Sequence, residues 1–284
     1  MNNVCAGIVL FNPNIERLKD NLDSIAEQVE EIVLIDNASE NLCEIKKLIG
    51  RYENCRIILN EENLGVAKAL NQIMEFGFKN DYEWMLTLDQ DSVAESDLIE
   101  EYVDFIAEYN KDSLVCVTCN VVDRNFSSTE KFDKNEKYKE VDYCITSGAM
   151  MKTAVIDIVG GFDERMFIDR VDTDICIRLI KHNYQIIKLN YNGILHEIGR
   201  GKQISLGFRT WDLYNHPAIR RYYMSRNSVY LNCKHHSSYS RKVMFGDFFH
   251  TFLVLLFEDN KLEKLRFSLK GYSDGFRQRM GKYR

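Results

Sequence analysis

The chain has 284 residues, with 37 Lys and Arg against 43 Asp and Glu for a formal charge of −6, 45% hydrophobic residues and only two prolines. That composition supports a real core and excludes a disordered or collagen-like chain. The length suits one large domain, or one domain with an appendage, at roughly 150 residues per domain. Overall acidity gives no electrostatic reason to bind nucleic acid, yet the charge is uneven: Lys261 to Arg284 carries +6 and the remainder −12.

Eight cysteines are too few for a disulfide scaffold at this length, and Cys5, Cys116, Cys144 and Cys176 sit in apolar runs, as buried reduced thiols do. Cys116 and Cys119 form a CxxC, but within a strand their side chains point to opposite faces, so a shared metal is not expected. The N-terminal residues read as a strand rather than a signal segment, and Phe248 to Phe257 is too short and interrupted to span a bilayer. A cytoplasmic location is the expectation.

In chain order, strands are predicted at Val4 to Phe11, Glu31 to Ile35, Arg56 to Leu59, Trp84 to Leu88 and Leu114 to Val122. Between them, Ile15, Leu18, Leu22 and Ile25 mark one helix face, and Leu98, Val103 and Ile106 another. Such βαβ alternation predicts an α/β fold with a mostly parallel sheet, helices on both faces and ligands outside the carboxyl ends of the strands. Asp123 to Lys139 is polar and reads as a loop or mobile insertion. Beyond it, strands are predicted at Val141 to Thr146 and Tyr184 to Tyr191, flanking a helix from about Thr173 to His182, and the pattern turns helical after Gly207.

The first βα turn, Leu10 to Asn14, lacks the glycine pattern that admits a dinucleotide pyrophosphate, which disfavours an NAD or FAD enzyme. Asp36 ends the second strand, where a carboxylate can accept from the N3–H of a pyrimidine or simply cap a helix. In Asn63 to Asn71, Asn63, Ala67 and Asn71 fall on one face of a predicted helix, and Gly65 leaves room for a ligand or for close packing. Trp84 to Leu88 runs straight into Asp89-Gln-Asp91, an acidic pair suited to a hard divalent cation bridging phosphate oxygens. Asp172 and Asp174 lie near a helix start; one suits a cap, and a carboxylate there can take a proton from a hydroxyl nucleophile. His196 follows a strand and can complete a metal shell or meet phosphate.

Taken in order, these segments resemble the GT-A-fold family 2 glycosyltransferases, and in particular their bacterial rhamnosyltransferase-like branch. The resemblance runs through Ile35 to Ser39, Asn63 to Gly65 with Asn71, Leu88 to Ser92, Ser147-Gly148, Gly161 to Glu164, Phe167 to Asp174 and His196 to Gly199. Arg221 to Asn227 and Lys270 to Gly275 extend it. It implies a GT-A catalytic domain over 1–206, with a nucleotide-sugar half (1–122) and an acceptor half (140–206), followed by a helical extension over 207–284.

The resemblance further implies inverting transfer of a sugar from a nucleotide diphosphate to a hydroxyl. Asp36 would read the pyrimidine, Asp89 the ribose, and Asp91 would hold Mg²⁺ or Mn²⁺ against the diphosphate with His196. Asn63, Gly65, Asn71, Ser147, Gly148 and Arg226 would line the substrate, and Asp172 would be the general base. The familiar pattern has Glu-Asp at the base position, whereas Asp172-Thr-Asp174 offers two Asp residues. The branch implies dTDP-β-L-rhamnose as donor, with UDP-sugars open, and a growing cell-surface glycan on a lipid diphosphate carrier as acceptor. The basic tail, with Phe267, Leu269, Tyr272 and Phe276, would then touch the inner membrane face, or else form a solvated helix face or a homo-oligomer contact. A nucleotidyltransferase would show a Gly-rich basic loop after the first strand, and a DxD phosphatase would place its Asp there. A non-catalytic sugar-binding module predicts binding without turnover.

Overall fold

The computed structural model describes residues 3–123, 132–133, 136–196, 202–206 and 209–283. The first half alternates β1 (Val4–Leu10), α1 (Ile15–Ile25), β2 (Glu31–Asp36), α2 (Leu42–Ile49), β3 (Cys55–Leu59), α3 (Val66–Lys79) and β4 (Trp84–Asp89). There follow β5 (Val93–Ala94), α4 (Leu98–Tyr109), β6 (Leu114–Thr118), β7 (Val121–Asp123), β8 (Tyr138–Glu140), β9 (Ala149–Lys152) and α5 (Thr153–Ile158). A 3-10 turn at Glu164–Met166 leads to α6 (Val171–Lys181), β10 (Gln185–Leu189), β11 (Ile194–His196), β12 (Lys202–Leu206) and β13 (Arg209–Leu213). Three helices complete the order: α7 (Ala218–His235), α8 (Ser238–Phe257) and α9 (Lys261–Phe276).

Eight strands form one sheet in the order β3-β2-β1-β4-β9-β6-β10-β8. β3, β2, β1 and β4 are mutually parallel, as are β6 and β10, while β9 enters antiparallel between β4 and β6 and β8 edges the sheet antiparallel. Alternate residues of β1 serve opposite faces. Val4, Ala6, Ile8 and Leu10 join Leu18, Leu22 and Ile25 of α1 and Leu98, Ile99 and Tyr102 of α4 in one core cluster. On the other face Gly7 sits against Ile73 of α3, with no room for a Cβ. Helices therefore cover both faces, which is why these strands are continuous apolar runs.

Several local expectations are corrected. Val141 to Thr146 is irregular, and the strands of that region are β8 and β9. The stretch after Gly207 enters β13 of the β12–β13 hairpin before it turns helical. Leu114 to Val122 is broken into β6 and β7, the latter pairing in a small sheet of order β5-β11-β7. Much of the expected 123–139 loop (124–131 and 134–135) lies outside the described residues.

The chain divides into two compact units, one comprising Met1–Asp163 with Ile175–Glu197 and the other Glu164–Asp174 with Ile198–Arg284. The segment carrying Asp172 falls in the unit that holds the C-terminal helices. Within that unit α9 lies against α7 at Gly271 and Gly275, where a Cβ would strike the backbone of Tyr222 and Arg226. This close approach is the structural content of the Lys270 to Gly275 motif.

Candidate active site

The parallel strands bring the first acidic groups to one edge of the sheet unit. β1 lies between β2 and β4, with Leu10 beside Asp36 and Val9 beside Asp89, so both carboxyl-bearing residues stand at the carboxyl ends of strands flanking β1. Asp36 is 1% exposed. Its Oδ2 accepts from the Ser39 amide at 3.1 Å, while Oδ1 is buried with no hydrogen-bond partner among the described residues. A buried acceptor left open is costly unless something donates to it, and a ring N–H of a bound base would. Ala38 adopts a left-handed φ of 62° to make this turn.

β4 ends at Asp89, and the chain turns through Gln90 and Asp91 rather than continuing extended. The two carboxylates nevertheless converge on one imidazole: Asp89 Oδ2 lies 3.5 Å from His196 Nε2, and Asp91 Oδ1 lies 3.3 Å from His196 Nδ1. Burial opposes ionisation of Asp91, but the hydrogen bond and charge of His196, with the amide of Asp91 and Arg17, outweigh it and hold the carboxyl below its ordinary range. Ser92 Oγ shares hydrogens with Ser147 Oγ at 2.6 Å and with His196 Nδ1 at 3.1 Å. Ser147 Oγ also accepts from the Asp89 amide at 3.3 Å.

Three residues that support this turn were not singled out from the sequence. Gln90 bonds both backbone groups of Phe11, tying the acidic turn to the first βα loop. Asn21 Nδ2 donates to the Asp89 carbonyl at 2.7 Å. A polar residue on the Leu18, Leu22, Ile25 face of α1 was the available signal. Tyr102, fully buried, donates to the Gly148 carbonyl at 2.7 Å.

Other expected contacts have different surroundings. α3 begins at Val66, so Asn63 precedes the helix instead of sharing its face, and Asn63 Oδ1 accepts from the Gly65 amide. Asn71 clamps Phe162, donating to its carbonyl at 2.9 Å and accepting from its amide at 2.6 Å. Gly161, at φ 65°, packs on that amide group, where a Cβ would collide. Gly148 donates its amide to Thr87 and leaves its Cα against Ile194.

In the other unit the loop before α6 is held in an unusual shape, with Phe167, Asp169 and Arg170 all at positive φ near 65°. Asn227 Nδ2 donates to the carbonyls of Met166, Ile168 and Asp169, and the fully buried Arg226 donates to those of Met166 and Gly281. The Arg226 guanidinium is therefore spent on backbone carbonyls around this loop, which accounts for the Arg221 to Asn227 motif. Burial raises Asp169 above the ordinary carboxyl range, and Arg220 and Arg170 offset this only in part.

The two acids after this loop are not equivalent. Asp174 is fully buried, paired with Lys234 Nζ at 2.7 Å and His235 Nε2 at 2.8 Å. It is thus an internal ion-pair partner where a helix cap was expected. Asp172 is half-buried in the first turn of α6, its Oδ1 accepting from the Thr173 amide at 2.6 Å. Of the pair, Asp172 is the carboxylate with exposed surface, as a proton acceptor requires.

As for a metal, among the described residues no three His, Cys, Asp or Glu side chains are arranged to hold an ion by themselves. An ionised carboxylate beside an imidazole nonetheless fits a hard cation of the Mg²⁺ or Mn²⁺ type, which takes one or two protein ligands and completes its shell with phosphate oxygens and water.

This arrangement of acids at strand ends matches a known family over more than half the chain, with residues 5–160 fitting the model for glycosyl transferase family 2. The chain belongs to that family. Along nearly its whole length it is 26% identical to the dTDP-rhamnosyl transferase RfbF of Shigella flexneri, covering 97% of this chain and 96% of the relative. Among solved structures, this family 2 chain superposes on S. aureus TarS 1-349 in complex with UDP-GlcNAc with a TM-score of 0.62 at 17% identity, over 96% of this chain and 80% of that one. GalNAc-T7 with UDP, GalNAc and Mn²⁺ gives 0.55 at 13% identity, over 97% and 56%. At these identities the structures establish the shared GT-A fold.

Proposed function

We propose that this glycosyltransferase moves L-rhamnose from dTDP-β-L-rhamnose to a hydroxyl of a growing cell-surface polysaccharide, such as an O-antigen or capsule, with inversion. The observation that carries the donor reading is the end-to-end similarity to a dTDP-rhamnosyl transferase. The open Oδ1 of Asp36 supports it, since thymine presents an N3–H donor.

In this reading Asp36 orients the base, Asp89 meets the ribose, and Asp91 with His196 would hold Mg²⁺ or Mn²⁺, which when bound would supply positive charge against the diphosphate. Asp172, as carboxylate, takes the proton of the acceptor hydroxyl while that oxygen bonds to the anomeric carbon on the face opposite the breaking bond to diphosphate. The β-linked donor becomes an α-linked rhamnoside. The acceptor is a lipid-diphosphate-linked glycan, and the protein works from the cytoplasm at the inner membrane face.

A UDP-sugar donor is the second reading, because uracil offers Asp36 the same N3–H. Thermal stabilisation and hydrolysis with a panel of dTDP-rhamnose, UDP-glucose and UDP-GlcNAc, each with Mn²⁺ or with chelator, separates the two. dTDP-rhamnose is expected to stabilise and turn over only with the cation. Response to a UDP-sugar alone would replace the donor, and response to none would remove the reading.

A further inference from the structure

The C-terminal helices carry an outward surface that the donor chemistry does not use. Along α8, Phe245, Phe249, Phe252 and Leu256 are 61%, 47%, 54% and 49% exposed, spaced by four, three and four residues and so stacked on one helix face. The opposite face holds Met244 and Val254 with the buried Asp247 and Thr251, and Leu253 is buried to one side. The helix therefore carries apolar side chains on both sides, with only one side covered among the described residues. Among the described residues nothing lies within 4 Å of a notional Cβ at Gly246, and the indole of Trp211 lies 5.9 Å from the Phe249 ring.

Charge completes the pattern. Between Ser238 and Tyr283 eight exposed cations (Arg241, Lys242 and six from Lys261 to Lys282) face two exposed carboxylates, Asp259 and Glu263. The other three acids are buried and bonded inside the unit: Asp247 to Arg221, Glu258 to Lys264, and Asp274 to Tyr222. Tyr272, expected from the sequence on a membrane side, is instead bonded inward to Asp247 and Thr251.

We propose that the Phe245-Phe249-Phe252-Leu256 face of α8, with Arg241 and Lys242 at its start, docks the protein on an anionic lipid bilayer. Bulky aromatics beside a tryptophan, flanked by Lys and Arg, suit the boundary between headgroups and acyl chains. No described helix is long and apolar enough to cross a membrane, so the contact is superficial. Anionic headgroups complement the cations, whereas a second copy docked face to face would bring like charges together.

The test uses the full chain with vesicles of phosphatidylglycerol or of phosphatidylcholine alone. Co-sedimentation is expected on the anionic vesicles only, with a blue shift of tryptophan emission that reports Trp211, since Trp84 is 6% exposed in the sheet unit. Phe245→Ser with Phe249→Ser and Phe252→Ser should weaken binding at least about tenfold and abolish the shift. Separately, Arg241→Gln with Lys242→Gln should weaken it about fivefold per charge removed. Donor-induced thermal stabilisation should persist in both variants, which keeps loss of fold and failure of the transferase reading distinct from failure of docking. Wild-type binding unchanged by the serine substitutions would overturn the proposal. So would a concentration-dependent dimer in sedimentation that those substitutions dissolve while wild type ignores the vesicles.

Discussion

In the sheet unit most side chains with no exposed surface are apolar, Ile8, Ile32 and Leu34 among them, with a few uncharged polar ones such as Asn21 and Ser92; in the helical unit the most buried side chains include Arg221, Arg226 and Asp247. Arg221 gives Nη2 to Asp247 at 3.3 Å and to Thr251 at 2.6 Å, and Asp247 also accepts from Ser225 and Tyr272. One unit has a largely apolar interior with acids at its strand ends. The other also buries several charges, and each of these depends on a partner. The difference teaches where substitutions should be costly: a lost methyl in the first unit is a small packing defect, while a lost partner in the second strands a charge.

The sharpest way to break this contrast is Arg221→Met against Ile8→Val. Chemical denaturation should give a loss of about 3–5 kcal/mol for the first, which leaves Asp247 buried and unpaired, and about 0.5–1.5 kcal/mol for the second. Equal costs would erase the distinction. Next, Asp91→Ala should weaken dTDP binding in Mn²⁺ by about 100-fold in calorimetry, with metal-free binding little changed. Unaltered Mn²⁺-dependent affinity would take Asp91 out of the metal site.

A smaller effect concerns acid. Burial, with the nearby Arg220, Arg221, His250 and Lys264, lowers His216 from 6.5 to about 3. The folded chain thus resists a proton that the unfolded chain accepts, so stability should fall as pH drops through 6.5 toward about 3. His216→Gln should flatten that decline by up to about 1.4 kcal/mol per pH unit. An unchanged slope in acid denaturation would mean His216 is not the group held neutral.

The same contrast explains what the sequence could reveal. β1, β2 and β4 were legible because strands buried on both faces must be continuous apolar runs, and Asp36 and Asp89 stood out as charges interrupting them. β9 was missed because Ala149-Met-Met-Lys lacks β-branched residues and owes its strand conformation to insertion between β4 and β6. The partners of Asp174 lie on α7, about sixty residues away, beyond any local pattern. The exposed aromatics of α8 carried no signal of their own, because composition does not distinguish a covered apolar face from an uncovered one. The resemblance paired Asp91 with His196, and the fold added the distances and the role of Ser92 and Ser147 between them.

The most direct measurement of the central claim pairs turnover with calorimetry on Asp172→Asn. With dTDP-rhamnose and an acceptor, kcat is predicted to fall by about 10²–10⁴, the usual worth of a general base, while affinity for dTDP in Mn²⁺ stays at the wild-type value. Wild-type kcat in this variant, with donor binding intact, would contradict the account.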